Sequence, residues 1–138
     1  TNTSSFSIQA ISVTHRDEFA NTVAYKIYGP QKTILFVPDI DKWIDNEVEK
    51  LFQDIDIAYV DATFYDGREL PGRDMSKIPH PTITTSFKKF EEFARKRPGV
   101  IRFIHLNHSN PVLSDESLQK EVEDKGFALT GRNERYFI

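Results

Sequence analysis

The sequence contains no cysteine. That removes disulfide staples, thiolate nucleophiles and thiolate-held zinc, and it fits a reducing, cytoplasmic setting. Long hydrophobic runs are also missing. Apolar stretches such as Thr33 to Pro38 fall far short of the roughly 20 residues that a membrane helix needs, so no membrane span and no secretory leader are expected. Positive charge is not in excess. A net charge of −3 gives no electrostatic footprint for nucleic acid, which leaves a small-molecule substrate as the expected partner, with a local groove for a phosphate ester still open. The chain has no GxSxG, GxGxxG or P-loop string, which removes the usual signatures of serine hydrolases, dinucleotide-binding enzymes and nucleotide triphosphatases. No repeat, low-complexity segment or linker is present.

What remains is an ordinary globular composition over 138 residues, enough for one domain, 1–138, with its own core. The chain opens at a threonine followed by polar residues, which reads as a boundary within a longer protein with residues missing upstream. Phe6 to Val13 and Thr22 to Tyr28 alternate as half-buried strands do. Thr33 to Val37 is a continuous apolar run, read as a buried strand, and Ile55 to Val60 reads as a second buried strand. Asp45 is the expected N-cap of a helix carrying Val48, Leu51 and Phe52 on its inner face, and Thr84 or Thr85 that of a helix running to Arg97. Gly99 leads into a strand from Val100 to Leu106, Ser114 opens a third helix that Gly126 ends, and Phe127–Leu129 with Tyr136–Ile138 suggests a closing hairpin. Three strands followed by strands alternating with helices predict an α/β (α+β) domain with a mixed β-sheet and helices on one face. Asp66 to Pro81 is a long loop, a length that is usually functional.

The chain has four histidines, His15, His80, His105 and His108, all at strand ends or in loops. Asp39 and Asp41 follow the third strand, and Asp61 ends the fourth. One histidine at a strand end most often caps or hydrogen-bonds, and an aspartate there most often makes a turn. Convergence raises the metal reading. If the strands are neighbours, imidazoles and carboxylates collect on one rim, the donor set that zinc, iron or manganese takes. Alternation would put His105 and Asn107 on one face and His108 on the other, so that His105 and His108 would not chelate one ion together. Asn110 reads as a turn residue, while Asn107 stays open. Pro79 and Pro81 stiffen the loop around His80, which suits a held proton donor, although an ordinary surface histidine would also fit.

The segment from Val13-Thr14-His15-Arg16-Asp17-Glu18-Phe19 to Thr22-Val23-Ala24-Tyr25-Lys26-Ile27 resembles a conserved stretch of metallo-β-lactamase-fold proteins such as tRNase Z and the coenzyme PQQ synthesis B family. Phe36-Val37-Pro38-Asp39-Ile40-Asp41-Lys42-Trp43, Asp61-Ala62-Thr63-Phe64, Ile78-Pro79-His80-Pro81 and His105-Leu106-Asn107-His108-Ser109-Asn110-Pro111 follow in the order of that family's later motifs, and the PQQ synthesis B branch is the closer likeness.

The resemblance implies the C-terminal, second half of a four-layer αββα sandwich. It implies His15 and His105 as metal ligands, Asp39 as the bridging ligand with Asp41 as its rival, and His80 as general acid; Asp61 and His108 are weaker candidates for the metal. It implies zinc, with iron or manganese as alternatives, and hydrolysis of an ester, amide or phosphodiester. The family's HxHxDH signature, which carries most of the ligands, is absent. The chain alone is therefore expected to bind metal weakly or not at all and to be inactive, with the missing N-terminal half as its partner. A sheet face left bare would favour a homodimer. The alternatives are a binding or scaffold half-domain without turnover, and iron-dependent oxidation in cofactor biosynthesis.

Overall fold

The computed structural model describes residues 5–16, 21–135 and 137–138. Strands β1 (Ser7–Ser12), β2 (Val23–Tyr28) and β3 (Thr33–Val37) form an antiparallel meander. Helix α1 (Asp45–Phe52) returns the chain to β4 (Ile57–Asp61), which lies parallel to β3. Helix α2 (Ile83–Lys96) leads to β5 (Ile101–Ile104), parallel to β4, and α3 (Glu116–Asp124) leads to β6 (Ala128–Leu129), parallel to β5. Among the described residues this makes one mixed sheet of six strands in sequence order. None of the described helices is long and apolar enough to cross a membrane.

The two sheet faces differ. One carries Ala24, Leu35, Val37, Ala58, Val60, Ile101 and Phe103, all fully buried beneath the helices. The helices meet it with Leu51 and Phe52 of α1, Phe87, Phe90 and Ala94 of α2, and Val122 of α3. Phe52 stacks on Phe90 with ring centroids 4.6 Å apart, and Phe103 stacks on Phe127 at 5.2 Å. Lys26 is the charged exception on this face. Its Nζ donates to the carbonyls of Lys50 and Gln53 at 3.1 and 2.6 Å, so a strand lysine caps the C-terminal end of α1, where the helix dipole favours a cation. Burial pushes this ammonium below its ordinary pKa, and the charge of Asp54 offsets part of that.

The opposite face presents Ile8, Tyr25, Ile27, Ile34, Phe36 and Tyr59 in register across four strands. Ile8 is 56% and Tyr25 40% exposed, and the others, unlike Ile57 beside them, are only half-buried. Among its described residues, the C-terminal segment pairs Glu134 with Arg102 and packs Ile138 on Gly29, both toward the end remote from the C-terminal tips of the parallel strands.

Three helix starts and the chain end differ from the sequence expectations. Asp45 is the first helical residue, behind Ile44, which caps nothing; its carboxylate and that of Glu47 sit in the first turn, where the helix dipole favours negative charge. Thr82 caps α2 by accepting from the Thr85 amide at 3.1 Å, and Asp115, not Ser114, caps α3. Among the described residues no closing hairpin is formed. A strand that follows a helical crossover enters the sheet parallel, and β6 does so against Arg102 and Phe103 while Phe127 goes into the core. Tyr136 lies outside the described residues.

Because β1 and β3 both run antiparallel to β2, they run parallel to each other. The C-terminal ends of β1, β3, β4 and β5 therefore open on one rim, where α/β sheets place their ligands.

Candidate metal centre

Each strand end delivers its residue by a local device. After β1 the chain reaches Thr14, whose hydroxyl donates to Glu47 Oε1 at 2.5 Å and whose amide donates to Oε2 at 3.3 Å. The Thr14 carbonyl accepts the Asp41 amide at 2.9 Å. His15 thus follows a residue clamped both to α1 and to the loop after β3. Its Nε2 lies 3.1 Å from Asp39 Oδ1.

Asp61, the last residue of β4, is completely buried. Its Oδ1 accepts the Thr63 amide at 3.0 Å and the Thr63 hydroxyl at 2.7 Å. Its Oδ2 accepts the Ile40 amide at 3.2 Å and faces His80 Nδ1 at 2.7 Å. A buried carboxylate needs this many donors to remain ionised.

Strand β5 stops at Ile104, and His105 takes a positive φ of 60°, a region that histidine visits more readily than most residues. The expected strand alternation through Asn107 is thereby corrected, because the backbone has already turned. Asn107 donates its amide to the Thr63 carbonyl at 3.0 Å and its side chain to Ser109 Oγ at 2.7 Å. Asn110 is the turn residue expected: its Oδ1 accepts the Val112 amide at 3.1 Å, and its buried Nδ2 ties this loop to the Ala62 carbonyl at 3.0 Å. His105 Nδ1 comes 3.1 Å from Thr63 Oγ1.

The Thr63 hydroxyl has one proton, and Asp61 takes it. Its oxygen is then an acceptor for the ring N–H of His105. His80 Nδ1, facing Asp61 Oδ2, carries a proton for the same reason. In both imidazoles the hydrogen bonding therefore favours a protonated Nδ1 and leaves Nε2 for other chemistry. Burial works to lower the pKa of His80, but the hydrogen bond to Asp61 and the charges of Asp61, Asp39 and Asp41 outweigh it and leave the pKa above the ordinary histidine value.

Asp61, His80 and His105 each offer a ligand atom, and these atoms lie within 4.8 Å of one another. His80 also sits 3.5 Å from Asp39 Oδ1, and its ring centroid is 6.3 Å from that of His15 and 5.7 Å from that of His105. Among the described residues, Asp41 Oδ1 is closed to solvent and accepts no hydrogen bond, while the equally closed Asp39 Oδ1 faces the ring nitrogens of His15 and His80 at 3.1 and 3.5 Å. Buried acceptors without a donor are uncommon. These two carboxylates beside three imidazoles form a donor set that fits a divalent cation such as zinc, iron or manganese. The rim brings together His15, Asp39, Asp41, Asp61, His80 and His105; His108 is exposed and stands outside the grouped ligand atoms. Sequence reasoning gave no role to Thr63 or Glu47. Their partners are distant along the chain, and only the Asp-x-Thr spacing of Asp61 and Thr63 is a local signal.

No family model and no curated protein sequence matches the chain. Solved structures do. The zinc-bound PqqB structure from Methylobacterium extorquens superposes with a TM-score of 0.70 at 19% identity, covering 91% of this chain and 48% of that one. The metallo-β-lactamase fold protein YhfI from Bacillus subtilis superposes with a TM-score of 0.61 at 13% identity, covering 91% of this chain and 46% of that one. The chain thus has part of the metallo-β-lactamase fold and spans about half the length of the solved structures it matches.

Proposed function

We propose that this chain carries one part of a metal-dependent hydrolase centre and is the second half of a metallo-β-lactamase-like domain, with the remaining ligands supplied by the first half. The observation that carries the reading is the meeting of two solvent-closed carboxylate oxygens, one on Asp41 without a donor and one on Asp39 facing the rings of His15 and His80, at a rim shared with three imidazoles. His15, Asp39 and His105 are the proposed ligands, with Asp41 as the rival of Asp39. Asp61 is better suited to holding other groups, since both its oxygens already accept hydrogen bonds. The zinc in the Methylobacterium PqqB structure supports zinc here; iron would suit the same donors and would open the alternative of oxidation in cofactor biosynthesis.

A bound ion would supply a water of lowered pKa and polarise an ester, amide or phosphodiester oxygen. The rest is the work of the chain's own residues. Asp61 and Thr63 fix the ring planes of His80 and His105. His80 is held through Nδ1, and the surrounding carboxylates raise its pKa and so favour the imidazolium, whose Nε2 proton would go to the leaving group. The missing cysteines and the proposed chemistry suit a cytoplasmic location.

Catalytic ions are usually held by at least three protein ligands each, so the chain alone should hold metal weakly. Zinc added to the metal-free chain is expected to bind with a dissociation constant in the micromolar range or above, and His15→Ala, Asp39→Ala and His105→Ala should each weaken it roughly tenfold or more. Calorimetric titration with elemental analysis reads this. Unchanged binding in all three variants would sink the ligand assignment and favour a scaffold role without turnover.

The bare apolar sheet face supports the missing half, or a second copy of the chain in its absence, as the macromolecular partner. The isolated chain should sediment as a dimer at high concentration, and Tyr25→Glu should shift it toward monomer. A parent chain that stays monomeric counts against that role for this face.

A further inference from the structure

We infer that the groove beside His80 receives the anionic end of the substrate, a carboxylate or phosphate group, and that Arg16, Lys42 and Lys77 set this specificity. The inference rests on the proposed reading of the adjoining rim as the reacting centre. The groove encloses about 860 Å³, within the range of small-molecule sites, and His80 lies in its lining between Pro79 and Pro81. Among the described residues its acidic and basic lining is Arg16, Lys42 and Lys77 against Asp41 and Asp66. The two carboxylates do not cancel the three cations. Asp66 is committed to Arg68, 2.6 Å from its Nε and 2.5 Å from its Nη2, and that hydrogen bond holds its carboxyl below the usual range. Asp41 has one oxygen closed to solvent, and its charge acts on His80.

The cations are placed rather than scattered. Arg16 follows His15 and donates to the Lys77 carbonyl, which ties the end of β1 to the far lip of the groove. Among the described residues the Lys77 ammonium is paired with Asp74, at 3.7 Å and in solvent, a contact that competes weakly for it. Lys42 is exposed beside Trp43, whose indole N–H donates to Ser86 Oγ at 2.8 Å and fixes one wall. The start of α2 also borders the groove but has little left to offer an anion. The amides of Ile83 and Thr84 are taken by the Phe64 and Tyr65 carbonyls at 2.9 and 3.0 Å, and that of Thr85 by Thr82. Recognition therefore falls to the side-chain cations, which would hold an acid group while the rest of the substrate reaches His80 and the rim.

Trp43 is the chain's single tryptophan and lines the groove, so its fluorescence reports occupancy. The full chain is titrated in EDTA with glutarate, with inorganic phosphate, and with glutaramide as the uncharged control. A saturable change with glutarate, phosphate or both is expected, weakening with salt and absent with glutaramide. A response to glutarate alone assigns a carboxylate, and one to phosphate alone a phosphate ester. Arg16→Gln and Lys42→Gln should each raise the dissociation constant about tenfold or more, Lys77→Gln by less, with circular dichroism unchanged. No saturable response, an equal response to glutaramide, or full binding by all three variants overturns the inference. Binding that appears only when zinc is present also overturns it, because the anion then sits on the ion, and it leaves the hydrolase reading intact. Binding in EDTA by a chain that takes up no zinc does the reverse.

Discussion

Replacing Asp61 with alanine is expected to cost the fold about 3–5 kcal/mol, a large share of the roughly 5–15 kcal/mol that holds a domain together. The figure follows from what the carboxylate satisfies. The buried amides of Ile40 and Thr63 and the Thr63 hydroxyl all lose their acceptor at once. Each unsatisfied buried donor costs about 1–3 kcal/mol, and the alanine-sized hole admits little water to replace the acceptor. Relief of repulsion among Asp39, Asp41 and Asp61 works the other way. That relief is limited, because the proton on His80 already compensates Asp61 across 2.7 Å. Urea unfolding of the metal-free chain measures the balance, and a loss below about 1 kcal/mol would show that Asp61 is not the anchor described.

Asp61→Asn separates stability from chemistry. The amide keeps the shape and one acceptor oxygen, so the stability loss should be the smaller, about 1–2 kcal/mol. Its NH₂ group is a donor and accepts neither the Ile40 amide nor His80 Nδ1–H, so His80 is driven toward the tautomer protonated at Nε2. Nitrogen shifts of the His80 ring in NMR spectra should report that exchange. In the completed protein, hydrolysis should fall by about two orders of magnitude or more, within the usual contribution of a positioned acid or base. A variant with the parental tautomer and undiminished activity would remove His80 from the mechanism.

Which parts of this arrangement could be read in advance depended on the range of the interaction. The alternation of Thr22 to Tyr28 and the continuous run of Thr33 to Val37 both mark strands, and both stand where the pattern places them, although the second face of the Thr33 to Val37 strand is only half-buried within this chain. The strand-end histidines and aspartates were legible because parallel strands deliver their C-terminal ends to one rim. The cap of α2 was not, since Thr82, Thr84 and Thr85 are all competent caps and the choice falls to the tertiary bonds from Ile83 to Phe64 and from Thr84 to Tyr65. The positive φ of His105 has no local signature either. It is imposed by the loop that follows, pinned by Asn107 and Asn110 to the backbone after β4. Asp61 was visible only as one more carboxylate near a metal. Its role as organiser of His80 and Thr63 depends on the Ile40 amide and the His80 ring, 21 and 19 residues away.

The two faces of the sheet make opposite predictions for aromatic residues only one strand apart. Phe103 lies on the helix-covered face and is 1% exposed, stacked within 8° of parallel on Phe127 and tilted against Phe87 at 6.0 Å. Truncating it to alanine removes apolar surface that the chain itself has buried and leaves a cavity between β5, α2 and Phe127 that stacked rings fill poorly on relaxation. The expected loss is about 3–5 kcal/mol. Phe103 also stands two residues before His105, so the cavity should loosen the turn that holds the ring and lower zinc affinity along with stability. Phe36 lies on the open face of β3 and is only half-buried within this chain. Phe36→Ala should cost the isolated chain less than about half as much. Its larger effect should appear when the missing half is supplied, as weaker association of the two parts. Thermal or urea unfolding of both variants, with and without the missing half, tests the assignment of the faces. Equal losses in the isolated chain would mean that the face carrying Phe36 is already packed and awaits no partner.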